Sequence, residues 1–167
     1  MQTITLKQRK QINAALPDFA QLLAGQEKVQ GAYQNVFVSV FDHWLSREEA
    51  EALIMIDHDQ ETLRARRALF REFAVGLYWL TPLFGWKYKR RHRLHVLQPA
   101  GVDDVLRACD LDNLWSQSGR RYGFLLPEYA AIYQEEWDWT NLIRYRDQQM
   151  IQPMLDLVEQ VGLHVLL

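Results

Sequence analysis

Ala130-Ala131-Ile132-Tyr133-Gln134-Glu135-Glu136-Trp137-Asp138-Trp139-Thr140-Asn141-Leu142-Ile143-Arg144-Tyr145 is the stretch that sets the fold class. Its two ends are rich in β-branched and aromatic residues, and its middle is polar. That grammar predicts a strand over 130–134, a turn over Glu135–Trp139 and a partner strand over 140–145. Working outward, Tyr122–Leu126 reads as another strand, ended by Pro127. Downstream, Asp147 is expected to cap a helix over 148–160. Pro153 falls late for a first-turn proline, so a kink or a later start stays open. Gly162 closes that helix and His164-Val165-Leu166 forms a terminal strand.

Upstream lies Trp86-Lys87-Tyr88-Lys89-Arg90-Arg91-His92-Arg93-Leu94-His95-Val96-Leu97, which holds five of the nineteen Lys and Arg. Read as one strand, it puts Lys87, Lys89, Arg91 and Arg93 on one face and Trp86, Tyr88, Leu94 and Val96 on the other. The first half of the chain reads as helical. Leu6–Leu23 carries a helical stripe broken at Pro17, so two short helices are expected, the second stopped by Gly25. Val29–Leu45 fits either a strand or a helix, and the length of its apolar pattern favours helix. Ser46 is an N-cap candidate with Glu49 in the capping-box position, ahead of a helix over 47–56. A turn at Asp57-His58-Asp59-Gln60 leads into a long helix over 61–80, whose uncharged end, 73–80, is expected to be buried. A short helix over 102–108 starts with Asp103 and Asp104, followed by a polar connection over 110–119.

These elements predict an α+β protein of one domain. A mainly helical half, 1–84, packs on a small, mostly antiparallel sheet from a mixed half, 85–167, which includes the hairpin–helix–strand unit. The chain is nearly half apolar (49%), which excludes wholesale disorder, and its −2 charge names no partner class. The charge is uneven. Residues 1–102 hold fourteen basic and ten acidic side chains; residues 103–167 hold five and eleven. Such a split can orient a binding partner. The N-terminal residues lack the apolar run of a secretory signal, and the longest uncharged apolar stretch is too short to cross a bilayer. A cytoplasmic location away from the membrane is expected.

The residues suggest binding more than chemistry. Lys87, Lys89, Arg90, Arg91 and Arg93, with Trp86 and Tyr88 between them, suit a nucleic acid or phosphate groups; a charged edge strand that discourages aggregation reads the same way. His92, His95 and the Asp57-His58-Asp59 run match no metal-binding spacing, so no metal or cofactor is expected. Cys109, the one cysteine, reads as a buried structural thiol. Neither a GxSxG elbow nor a phosphate-binding glycine loop occurs, and no catalytic residue is assigned. Glu135, Glu136 and Asp138 alternate with Trp137 and Trp139 at the expected hairpin tip, the composition of a protein-binding site.

One resemblance sharpens this. Leu126-Pro127-Glu128-x-x-Ala131-Ile132-Tyr133, Trp137-Asp138-x-Thr140-Asn141, Ile151-x-Pro153-x-Leu155 and Gly162-Leu163-His164-Val165-Leu166 together resemble the C-terminal part of small bacterial immunity proteins found beside secreted polymorphic toxins. The likeness spans about the last 42 residues. It implies a non-enzymatic inhibitor that occludes a cognate toxin with a charged, aromatic surface, without saying which surface. Glu135, Glu136, Trp137, Asp138 and Trp139 are the expected contact set. The alternative is a nucleic-acid-binding protein that uses the basic ribbon. Oligomeric state is not read from the sequence.

Overall fold

The computed structural model describes residues 1–25, 32–55, 60–89, 93–109, 122–136 and 138–167. The predicted turn at 57–59, the polar connection over 110–119, and Arg90, Arg91, His92 and Trp137 lie outside the described residues, as do the side chains of Tyr88, Lys89 and Arg93.

The fold is α+β, built on one antiparallel sheet. Its strands are β1 (Gln2–Thr3), β2 (Gln34–Ser39), β3 (Phe84–Lys89), β4 (Arg93–Gln98), β5 (Gly123–Leu126), β6 (Ala131–Gln134), β7 (Thr140–Tyr145) and β8 (His164–Leu166). The helices are α1 (Leu6–Ala15), α2 (Phe19–Leu23), α3 (Arg47–Ala50), α4 (Gln60–Leu80), α5 (Val102–Ala108) and α6 (Gln152–Gln160). The strand order is β1-β4-β3-β5-β6-β7-β2-β8, with every pairing antiparallel.

The predicted hairpin forms: β6 and β7 pair with Tyr133 opposite Ile143. The basic ribbon is not one strand. It folds back on itself as β3 and β4, with Trp86 opposite Val96 and Lys87 opposite His95. The segment read as a helix over 29–45 contains strand β2, which lies inside the sheet between β7 and β8. The reason is burial on both faces. Val36 and Val38 enter the core on one face while Phe37 faces the other, so the polar half of the alternation is missing.

Two apolar layers cover the sheet. On the first face, Phe70, Phe73, Ala74 and Leu77 of α4, Val105 of α5, and Met154 and Val158 of α6 pack against Val36, Val38, Phe124, Leu126, Tyr133 and Ile143. On the second, Ile12, Leu16, Phe19 and Leu22 cover Phe84, Leu125 and Ile132. These come from the two short helices expected around Pro17. Thr5 starts the first with a capping box: its Oγ1 accepts the Gln8 N–H at 3.2 Å, and the Gln8 Oε1 accepts the Thr5 N–H at 2.8 Å.

Two helix expectations need correction. The uncharged end of α4 is not wholly buried. Phe73, Ala74 and Leu77 are, but Trp79 is 74% exposed, because a helix on one sheet face buries one stripe only. Helix α6 starts at Gln152, later than the sequence suggests. Asp147 Oδ1 takes the Gln149 N–H at 2.9 Å in a local turn, and Pro153 then sits in the first helical turn. Gly162 leaves α6 at φ 82°, as its C-terminal position requires. Among the described residues, no helix is long and apolar enough to cross a membrane.

Candidate partner-binding cleft

Helices α1 and α2 cover only part of the second sheet face. Over β7, β2 and β8 that face is instead the floor of a cleft of about 530 Å³. Phe37, Leu142, Leu166 and Arg144 form the floor, and the segment after β2, with Phe41, His43, Trp44 and Ile54, forms the wall. The chain turns out of β2 at Ser39. Its Oγ accepts the Phe41 N–H at 3.1 Å and donates to the Trp139 carbonyl at 3.3 Å. Val40 N–H also donates to that carbonyl, at 3.3 Å. The wall is thereby tied to the β6–β7 connection.

Arg66 of α4 fastens the assembly from outside. Its guanidinium lies 5.2 Å from the Phe41 ring centroid and 5.6 Å from that of Trp139, and its Nη1 donates to the Leu53 carbonyl at 2.9 Å. Leu53 belongs to a π-helical turn, Glu51–Met55, that continues α3 along the wall. In the β6–β7 connection, Asp138 and Trp139 hold φ 62° and 60°. Asp tolerates the left-handed region; a Trp there carries strain that its packing must offset. A π turn and a strained pair flank the same cleft, and both features concentrate at functional sites.

The rim is charged and ordered. Trp44 is 53% exposed, yet fixed at both ends. Its ring meets Phe37 edge-on at 4.9 Å, and its Nε1 donates to the Leu167 carbonyl at 3.0 Å. His43 Nδ1 lies 2.6 Å from Asp42 Oδ1, and Nε2 lies 3.1 Å from Glu49 Oε1. Those two hydrogen bonds raise the pKa of His43 above its usual value. Both ring nitrogens are engaged by carboxylates, so the ring clips the cleft wall to the start of α3. On the floor, Arg144 Nη1 donates to Gln134 Oε1 at 2.9 Å, and Gln134 Nε2 donates to Glu136 Oε1 at 2.8 Å. Burial lowers the pKa of Arg144, which still carries its charge.

The expected contact set is split. Glu136 and Asp138 line the cleft. Trp139 is half-buried against the core, under Arg66. Glu135 is not at an exposed tip: it is 6% exposed. Just past the end of β6, Glu135 N–H donates to the Tyr122 carbonyl at 3.0 Å and its Oε2 accepts the Tyr122 N–H at 3.2 Å. Trp137 lies outside the described residues. In the ribbon, the register also sets Lys89 opposite Arg93, and Lys87 is exposed. Trp86, however, packs with the second-face core and is not a stacking platform. Phe37, Trp44, Arg66 and Arg144 were not singled out from sequence. Phe37 was hidden by the helical reading of its segment, and Arg144 looks like any strand-borne charge until its neighbours are known.

Behind the hairpin lies a buried polar network. Asn141 Nδ2 donates to the Tyr133 hydroxyl at 2.5 Å, and its Oδ1 accepts the Glu136 N–H at 3.3 Å. Burial raises the pKa of both Tyr122 and Tyr133. It also pushes the Cys109 thiol up to about 12, so Cys109 stays protonated and inert. Among the described residues no group of three or more His, Cys, Asp or Glu is placed to hold a metal ion. No protein-family model, curated protein or solved structure matches the chain.

Proposed function

We propose that this protein is a protein-binding module of the immunity type. It acts in the bacterial cytoplasm and neutralises a cognate toxin by covering its active surface, without catalysing a reaction. The observation that carries this reading is the ordered, half-exposed Trp44 on one rim with Glu136 and Asp138. An aromatic ring held in place yet open to solvent is an interface anchor, and acids around it steer a basic partner. The C-terminal resemblance supplies the partner class. The test is co-expression with candidate secreted toxins encoded near the gene. The wild-type chain is expected to restore growth, while Trp44→Ala, folded by circular dichroism, does not. Full rescue by Trp44→Ala removes the cleft as the toxin-facing surface.

One observation favours nucleic acid as a second reading: the β3–β4 register sets Lys87 against His95 and Lys89 against Arg93. Micromolar binding of generic DNA that collapses at high salt and is weakened by Lys87→Glu would favour it. Absence of such binding removes it.

A further inference from the structure

We propose that the cleft receives an acidic side chain of the partner protein, an Asp or Glu next to an apolar residue, with Arg144 as its anchor. This rests on the protein-binding reading and specifies what enters the site.

Arg144 lies on a floor with the apolar Phe37, Leu142 and Leu166 beside it and the small polar Ser39 and Thr140 further along the same strands. It donates to the neutral amide of Gln134. Among the described residues, no carboxylate oxygen comes within ion-pair distance of it. A guanidinium carries five donors in a planar fork, so several remain after the bond to Gln134. A partly desolvated cation held by an amide alone keeps much of its desolvation cost, and a carboxylate offsets that cost through two parallel charge-assisted bonds. Gln134 also prepares the group. Its Nε2 is occupied by Glu136, which turns its Oε1 toward Arg144 and holds the fork in place.

The surroundings narrow the occupant. A cleft of about 530 Å³ exceeds one carboxylate side chain, and Phe37 and Trp44 offer the remaining space an apolar wall. Glu136 and Asp138 at the mouth repel a doubly charged phosphate more strongly than a singly charged carboxylate, which Arg144 can offset. A single carboxylate on an apolar body satisfies floor, wall and mouth together.

The probe is N-acetylphenylalanine, which carries one carboxylate on an aromatic body, set against the uncharged N-acetylphenylalaninamide. Both are titrated into the full chain while the Arg144 Nε–H and Trp44 indole N–H signals are followed by NMR. The acid is expected to shift both signals saturably in the millimolar range, as suits a one-residue fragment, and the amide to bind about tenfold more weakly. Arg144→Gln should abolish that preference and Arg144→Lys should retain part of it. If Arg144→Gln does not fold, the acid–amide comparison and the Lys variant decide the matter. Equal binding of acid and amide, no shift with either, or a preference that survives in Arg144→Gln overturns the proposal. If partner binding depends on Trp44 while the acid shows no preference, the occupant is wrong and the module reading stands. If the preference is present and partner binding ignores Trp44, the carboxylate site stands but the cleft is not the toxin-facing surface.

Discussion

The ring of Trp86 occupies the space where a side chain at position 123 would go. A methyl group on Gly123 would lie 2.7 Å from Trp86 Cζ2 and 2.7 Å from the Tyr133 carbonyl oxygen. The second contact is backbone and cannot give way. Gly123→Ala is therefore expected to cost about 1–3 kcal/mol, the usual range for overpacking, read as a lower urea midpoint at an unchanged slope. The same contact explains why the aromatic partners of the basic ribbon were only half legible. Alternation correctly separated Trp86 from Lys87, but nothing in the sequence says that a glycine on the neighbouring strand β5 receives the indole. Cys109 was easier, since a lone cysteine in an apolar stretch has few roles other than packing.

Local chemistry carried further at the level of elements. Ser46 and Glu49 form the expected capping box, with Ser46 Oγ accepting the Glu49 N–H at 3.2 Å and Glu49 Oε2 accepting the Ser46 N–H at 2.8 Å. The other Glu49 oxygen meets His43, which locks the cleft wall to the start of α3. Hydrogen bonding lowers the pKa of Asp42, chiefly through His43, and that of Glu49, chiefly through the Ser46 backbone and then His43. The clip therefore has two edges. The contribution of His43 is full below its usual 6.5 and fades as pH rises through its raised value. The carboxylates' contribution is present above their usual 3.8 and 4.5 and fades as pH falls through their lowered values. An NMR titration of the His43 ring should give a midpoint above 6.5, and Glu49→Gln should bring it down. A midpoint at or below 6.5 in the wild-type chain removes the clip. Elements whose start signals are local, such as α3 and the β6–β7 hairpin, were legible. Strand β2 was not, because a strand with both faces covered shows no alternation and its apolar residues also satisfy a helical spacing.

At the scale of the whole molecule, one sheet carries two unequal faces. Helices α4, α5 and α6 pack on the first, whereas α1 and α2 leave part of the second to a cleft. The fold class could be read from the order of strand and helix signals, and the existence of the cleft could not. It depends on which strands lie side by side, and β2, from the first half of the chain, supplies a central part of its floor between β7 and β8. Glu136 and Asp138, expected at a contact surface, line this cleft, and the fold sets Phe41 and Trp44 in the wall beside them. Calorimetric affinity for the proposed partner toxin, compared between the wild-type chain and a Trp44→Ala, Asp138→Asn double variant, tests the central claim most directly. Asn is chosen because it tolerates the left-handed backbone at 138. The account predicts a loss of about 2–4 kcal/mol, typical of an interface anchor, in a variant that remains folded by circular dichroism. An affinity equal to that of the wild-type chain would contradict it.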